Sequence, residues 1–220
     1  MMTPIVDVTQ PVALVGGAQF APEVFNILRT LTDIFVAADG GADHLRALKV
    51  HPTKVIGDLD SLSDQARQEF ASQLVRVVEQ DTTDLEKVVS RVAAPVLLGA
   101  GFIGGRLDHT LASLNVMARY AAKPLVFFSA TDCCFRCPDA GVVLELPVGT
   151  LLSVLPMDDL RATSQGLQWD MDGLALHPAG VVSSSNRTAA PQVSISVTGP
   201  AIITLPLAQW AHAIDAVRAG

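Results

Sequence analysis

The chain has 220 residues, half of them hydrophobic and 17% charged, which is ample for a core and too little charge for a disordered chain. Its net charge of −7 leaves no basic footprint for a nucleic-acid backbone, although a phosphorylated small molecule stays open where a metal cation mediates the contact. No apolar run approaches the roughly 18 residues of a membrane-spanning helix, and the first residues lack the basic-then-apolar order of a secretory signal, so a soluble cytoplasmic protein is expected.

Over residues 1–128, short apolar runs alternate with helical patterns. The runs read as strands are Val12–Val15, Ile34–Ala38, Lys54–Ile56, Leu74–Val78, Val96–Leu98 and Leu125–Phe128. Helices are expected at about 22–32, 42–48, 63–73, 83–92 and 108–121, with Ser63 capping the third and Thr83 or Asp84 the fourth. Strands alternating with helices predict a mostly parallel, three-layer αβα domain. From about residue 129 lysine disappears, and β-like runs follow at close spacing: Val142–Leu146, Leu151–Leu155, Gly166–Met171, Val193–Val197 and Ala201–Leu205. That texture predicts a small antiparallel β-sandwich over 129–220, closed by a helix from Leu207 to Ala219. Cys133, Cys134 and Cys137 are too few and too clustered for a disulfide framework, and no second Cys/His pair follows at zinc spacing. They read as a reduced, partly buried linker.

Parallel sheets bind ligands beyond the carboxyl ends of their strands, so the residues after each expected strand matter most. They are Gly16-Gly17, Asp39-Gly40-Gly41, Gly57-Asp58-Leu59-Asp60-Ser61, Gln80-Asp81-Thr82-Thr83-Asp84 and Gly104-Gly105-Arg106-Leu107-Asp108-His109. One rim would then carry Asp39, Asp58, Asp60, Asp81, Asp84 and Asp108 with Arg106. Each of these acids alone could be a helix cap or a turn residue; together they would repel unless a cation sat among them. Oxygen-only ligands point to a hard cation, Mg²⁺ where phosphates complete its shell, and the chemistry implied is metal-assisted phosphoryl or pyrophosphoryl transfer. Gly99-Ala100-Gly101-Phe102-Ile103-Gly104 matches the dinucleotide fingerprint, but it follows the fifth strand and no acid ends a strand about 20 residues on, which argues against a dehydrogenase. There is no P-loop sequence.

In order and spacing, Asp39-Gly40-Gly41-Ala42, Gly57-Asp58-Leu59-Asp60-Ser61, Asp81-Thr82-Thr83-Asp84 and Gly105-Arg106-Leu107-Asp108-His109 resemble the thiamine pyrophosphokinases. So do Gly166-Leu167-Gln168-Trp169 and Ser183-Ser184-Ser185-Asn186-Arg187. The resemblance implies an α/β nucleotide-binding catalytic domain over 1–128, a β-sandwich thiamine-binding domain over 129–220, and a homodimer with shared sites. It also implies transfer of the β,γ-pyrophosphate of ATP to thiamine, giving thiamine diphosphate and AMP. By that likeness Asp58, Asp60, Asp81 and Asp84 gather Mg²⁺, while Arg106 and Asp108 hold the nucleotide phosphates. Asp39, Gln80 and His109 stand on the ATP side, and Ser185 and Asn186 of a partner copy contact thiamine. Trp169 is either an aromatic face for substrate or a core residue. Either Asp84 or Asp58 would accept the proton. A pyrophosphokinase for another alcohol, such as a pterin, and a non-catalytic thiamine sensor are the alternatives.

Overall fold

The computed structural model describes residues 3–219. Its chain divides into two compact units, one of residues up to Val116 with Phe127–Ala130, the other Met117–Val126 with Thr131 onward.

In the first unit a short pair, β1 (Val6–Asp7) and β6 (Val92–Ala93), lies parallel. The main strands are β2 (Val12–Val15), β3 (Phe35–Ala38), β4 (Lys54–Gly57), β5 (Leu74–Arg76) and β7 (Leu97–Ala100); of β8 (Leu125–Phe128), next to β7, this unit holds Phe127 and Phe128. They run in the order β7-β2-β3-β4-β5, every pairing parallel. All four residues of β2, β3 and β7 are buried, as expected of strands covered on both faces. The helices between them are α1 (Pro22–Leu31), α2 (Gly41–Ala47), α3 (Asp64–Glu69), α4 (Asp84–Val89) and α5 (Leu107–Arg119). α1 starts with Pro at its first turn and buries Val24, Phe25 and Leu28, with the Phe25 ring 6.0 Å from that of Phe35. Ser63 and Thr83 cap α3 and α4, their hydroxyls accepting from Ala66 N–H at 3.1 Å and Glu86 N–H at 3.2 Å.

The second unit is antiparallel. One set of strands runs β14 (Ser183–Arg187), β11 (Leu151–Pro156), β16 (Ala201–Pro206), β9 (Asp132–Arg136). The other runs β10 (Val142–Glu145), β15 (Gln192–Val197), β12 (Leu160–Gln165), β13 (Leu174–Leu176). In β12 and β15, and most of β11, buried residues alternate with less buried ones, the pattern of sheets that are half covered. α6 (Trp210–Ala219) follows a 3₁₀ turn and packs on β9 and β10.

Two expectations are corrected in this unit. The cysteines do not lie in a linker: Cys133 and Cys134 sit in β9, Cys137 follows it, and all three are buried. Cys133 pairs with Leu205 and Cys134 with Thr204 of β16, and small hydrophobes suit that strand. Residues 166–171 form no strand. Gly166 takes φ +94, and the Asp170 carboxylate accepts from the N–H groups of Gly166 (3.2 Å) and Leu167 (3.0 Å), closing a turn after β12.

Candidate functional site

The strand order places a topological switch between β2 and β7. From β2 the chain proceeds outward through β3, β4 and β5, then returns to the other side of β2 as β7. Open α/β sheets bind ligands at such a point. A cavity of about 900 Å³ lies there, bounded by the loops after β2, β3, β4 and β7 and by α4. Glycines of the β2 and β7 loops, Gly16, Gly17, Gly101, Gly104 and Gly105, are part of its lining. Gly101 has φ +77, and a Cβ on it would stand 2.5 Å from the carbonyl oxygen of Gly16, so only glycine lets the β2 and β7 loops approach this closely.

Among the described residues, Asp39, Asp58 and Asp60 each bring a carboxylate oxygen to one place, all within 4.8 Å of one another. Three local features arrange this. Gly57 ends β4 without a side chain, where a Cβ would lie 2.8 Å from that of Asp39. Leu59, buried and at φ +70, turns the chain between Asp58 and Asp60, and Arg67 donates to its carbonyl. Asp39 itself stands at φ +41, directly after β3.

Hydrogen bonds separate the roles of these acids. Asp58 Oδ1 accepts from Asp60 N–H at 3.3 Å, and Oδ2 accepts from Gln80 Nε2 at 3.3 Å and Lys87 Nζ at 3.2 Å. Burial works against its charge, but these donors outweigh it and hold Asp58 down at about 2. Asp39 is the opposite case. It is 2% exposed, its Oδ2 has a long 3.4 Å contact from Ser61 N–H, and its buried Oδ1 has no hydrogen-bond partner among the described residues. Burial first, then the charge of Asp84, push it up to about 7. Burial likewise raises Asp84, against the pull of Lys87.

Of the residues singled out from the sequence, Asp39, Asp58, Gln80, Asp84, Arg106 and His109 line the cavity. Asp60 is exposed and joins through the group of three oxygens. Asp81 is exposed and neither lines the cavity nor joins that group. Asp108 receives a two-pronged bond from Arg106, 3.2 Å from Nε and 2.6 Å from Nη2, at the start of α5. In the second unit Ser185 is exposed with φ +57, whereas Asn186 is 3% exposed and its amide is engaged inside the fold. Asn186 Oδ1 accepts from the N–H groups of Trp169 (3.2 Å) and Arg187 (2.8 Å), and Nδ2 donates to Trp169 O at 2.8 Å. Trp169 is no core residue; it is 59% exposed on the turn that Asn186 holds. Sequence reasoning missed Lys87, a buried cavity residue that also donates to Asp84 Oδ1 at 3.2 Å. Its signal was available: a lone lysine three residues past Asp84 on one face of an expected helix.

Residues 25–128 match the family profile described as thiamin pyrophosphokinase, catalytic domain, and 142–202 match thiamin pyrophosphokinase, vitamin B1 binding domain; between them they span most of the chain. The chain belongs to the thiamin pyrophosphokinase family. Curated relatives agree: thiamine pyrophosphokinase 1 of Oryza sativa subsp. japonica is 26% identical over 239 residues, covering 93% of this chain and 90% of its own. Thiamin pyrophosphokinase 1 of Caenorhabditis elegans is 25% identical over 201 residues, covering 83% and 82%. The fold matches thiamin pyrophosphokinase from Candida albicans with a TM-score of 0.76 at 18% identity, over 94% of this chain and 95% of that one. The catalytic-domain match contains every cavity residue from Ala38 to Ser113, and the B1-binding match contains Trp169, Ser185 and Asn186. Among the described residues no helix is long and apolar enough to cross a membrane.

Proposed function

We propose that this chain is a thiamine diphosphokinase, an Mg²⁺-dependent enzyme that moves the β,γ-pyrophosphoryl group of ATP onto the hydroxyl of thiamine and releases AMP. The observation that carries the reading is the group of Asp39, Asp58 and Asp60 at the rim of a glycine-lined cavity, in a chain of this family. The donor set suits Mg²⁺, since all three ligands are carboxylates and the buried Asp39 Oδ1 lacks any other partner among the described residues. Those three residues would hold the ion, which when bound neutralises charge on the phosphate oxygens.

The remaining work falls to the protein's own groups. The backbone of Gly16, Gly17, Gly101 and Gly104 lets phosphate oxygens come close, and Arg106, aimed by Asp108, takes them in its planar fork. Gln80 and His109 face the same space on the nucleotide side. The thiamine hydroxyl oxygen forms a bond to the β-phosphorus, the bridging bond to the α-phosphate breaks, and AMP leaves with that electron pair. Asp84 is the better proton acceptor of the two candidates, because burial raises it while Asp58 is held at about 2 by its donors. Ser185, and Trp169 on the turn held by Asn186, serve thiamine. On the same reading two copies form a homodimer in the cytoplasm and share their sites; an active monomer in light scattering would contradict the sharing.

The test is Asp58→Asn beside Asp81→Asn, with turnover and thiamine affinity measured on both. Asp58→Asn should lose turnover by orders of magnitude with thiamine affinity little changed, and Asp81→Asn should lose at least tenfold less. Full turnover in Asp58→Asn would sink the role given to Asp58, and a parent that binds thiamine but turns none over would favour a thiamine sensor.

A further inference from the structure

Two cation positions can be recognised around Asp58, and the protein itself fills one. We propose that the Lys87 ammonium stands where a second metal ion would otherwise sit between Asp58 and Asp84, so that the acidic site takes one divalent cation and not two. The proposal rests on the carboxylate reading of the site given above.

Lys87 Nζ lies 3.2 Å from Asp58 Oδ2 and 3.2 Å from Asp84 Oδ1, and its side chain is 2% exposed. A buried ammonium is tolerated only where carboxylates compensate its lost hydration, and here two do so from separate segments, the loop after β4 and the start of α4. Asp58 is common to both positions. It donates no proton and offers two oxygens: Oδ2 serves Lys87 and Gln80, while the residue also joins Asp39 and Asp60. Asp84 is left out of the group of three and keeps Lys87 as its partner. In two-metal sites for phosphoryl transfer the ions stand about 3.5–4 Å apart and clamp the attacking and leaving oxygens. A lysine held between the same carboxylates supplies one of those positive charges permanently. It reaches the cavity from α4, so the position it occupies is accessible from solution once the side chain is shortened or neutralised.

Removing the ammonium should leave Asp58 and Asp84 facing each other with like charge, an oxygen-only pocket of the kind that draws a hard cation. An ion pair with a merely structural role would also cost stability when broken, but it would not alter how many cations bind.

The test counts Mn²⁺ bound to the full-length, nucleotide-free protein from the electron paramagnetic resonance of the free ion. The parent, Lys87→Met and Lys87→Gln are compared, with circular dichroism reporting the fold. One ion per chain in the parent and two in either variant is the expected result; a variant that folds only when Mn²⁺ is present supports the proposal equally. Equal counts in parent and variants, with affinities within twofold, would overturn it. So would two variants that stay unfolded even with Mn²⁺, since the added ion should restore the missing charge. If the parent binds none and a variant binds one, the role of Lys87 stands and the reading of Asp39, Asp58 and Asp60 as metal ligands falls. No binding to any of the three overturns the proposal.

Discussion

Replacing Asp39 with Asn should stabilise the metal-free protein and abolish its response to Mg²⁺. Asp39 titrates at about 7 in the folded chain against an ordinary 3.8, chiefly because of burial and the neighbouring charge of Asp84. For an acid whose folded value is raised, the charged form is the penalised one. The penalty is absent below about 3.8, grows as pH rises toward 7, and is constant above it. At about 1.36 kcal/mol per pH unit, the window from 3.8 to about 7 amounts to a cost on the order of 4 kcal/mol at neutral pH. Asparagine keeps an acceptor for Ser61 N–H and brings an amide that can donate to a neighbouring carboxylate. Thermal melts in EDTA should therefore show the variant tracking the parent near pH 4 and exceeding it by several degrees at pH 7 and above. Excess Mg²⁺ should reverse the order, raising the parent and leaving the variant where it was. A variant that melts below the parent at every pH, or an advantage that does not change with pH, would refute the reasoning. So would an equal Mg²⁺ response in the two proteins.

Gly101→Ala forces a side chain into φ +77 and puts its Cβ against Gly16 O, so it should cost more than the roughly 1–2 kcal/mol of a left-handed residue and raise the KM for ATP. An unchanged melt and KM would show that the β2 and β7 loops need no close approach. Asn186→Ala removes the amide that fixes the Trp169 turn, and about 1–3 kcal/mol of stability should go with it, together with a shift in tryptophan emission. Thiamine affinity should fall with it while nucleotide affinity holds; loss of nucleotide affinity alone would contradict that assignment.

Much of the first unit could be read from the chain because its signals are local. Val12–Val15 and Leu125–Phe128 are unbroken apolar runs, and Ser63 and Thr83 are caps by residue type alone. The acidic loops were legible because strand ends and turn residues together place them on one rim. What escaped depends on tertiary partners. β12 (Leu-Arg-Ala-Thr-Ser-Gln) and β14 (Ser-Ser-Ser-Asn-Arg) have little β character of their own and are strands because neighbours pair with them. The Cys133–Cys134 pair reads as a linker until β16 is laid beside it. In the site, the grouping of Asp39 with Asp58 and Asp60 involves left-handed turns at Asp39 and Leu59, which non-glycine residues do not announce. The motif places Asn186 beside Trp169 in no legible way; only the folded chain shows its amide bonded to the backbone of Trp169 and Arg187.

The most direct test of the central claim is a product analysis of the purified protein with Mg-ATP and thiamine, resolving AMP from ADP by chromatography. The account predicts AMP and thiamine diphosphate in equal amounts, with both abolished by EDTA. ADP with thiamine monophosphate would contradict pyrophosphoryl transfer while leaving the metal site intact, and no product from a folded sample would contradict the assignment of thiamine as acceptor.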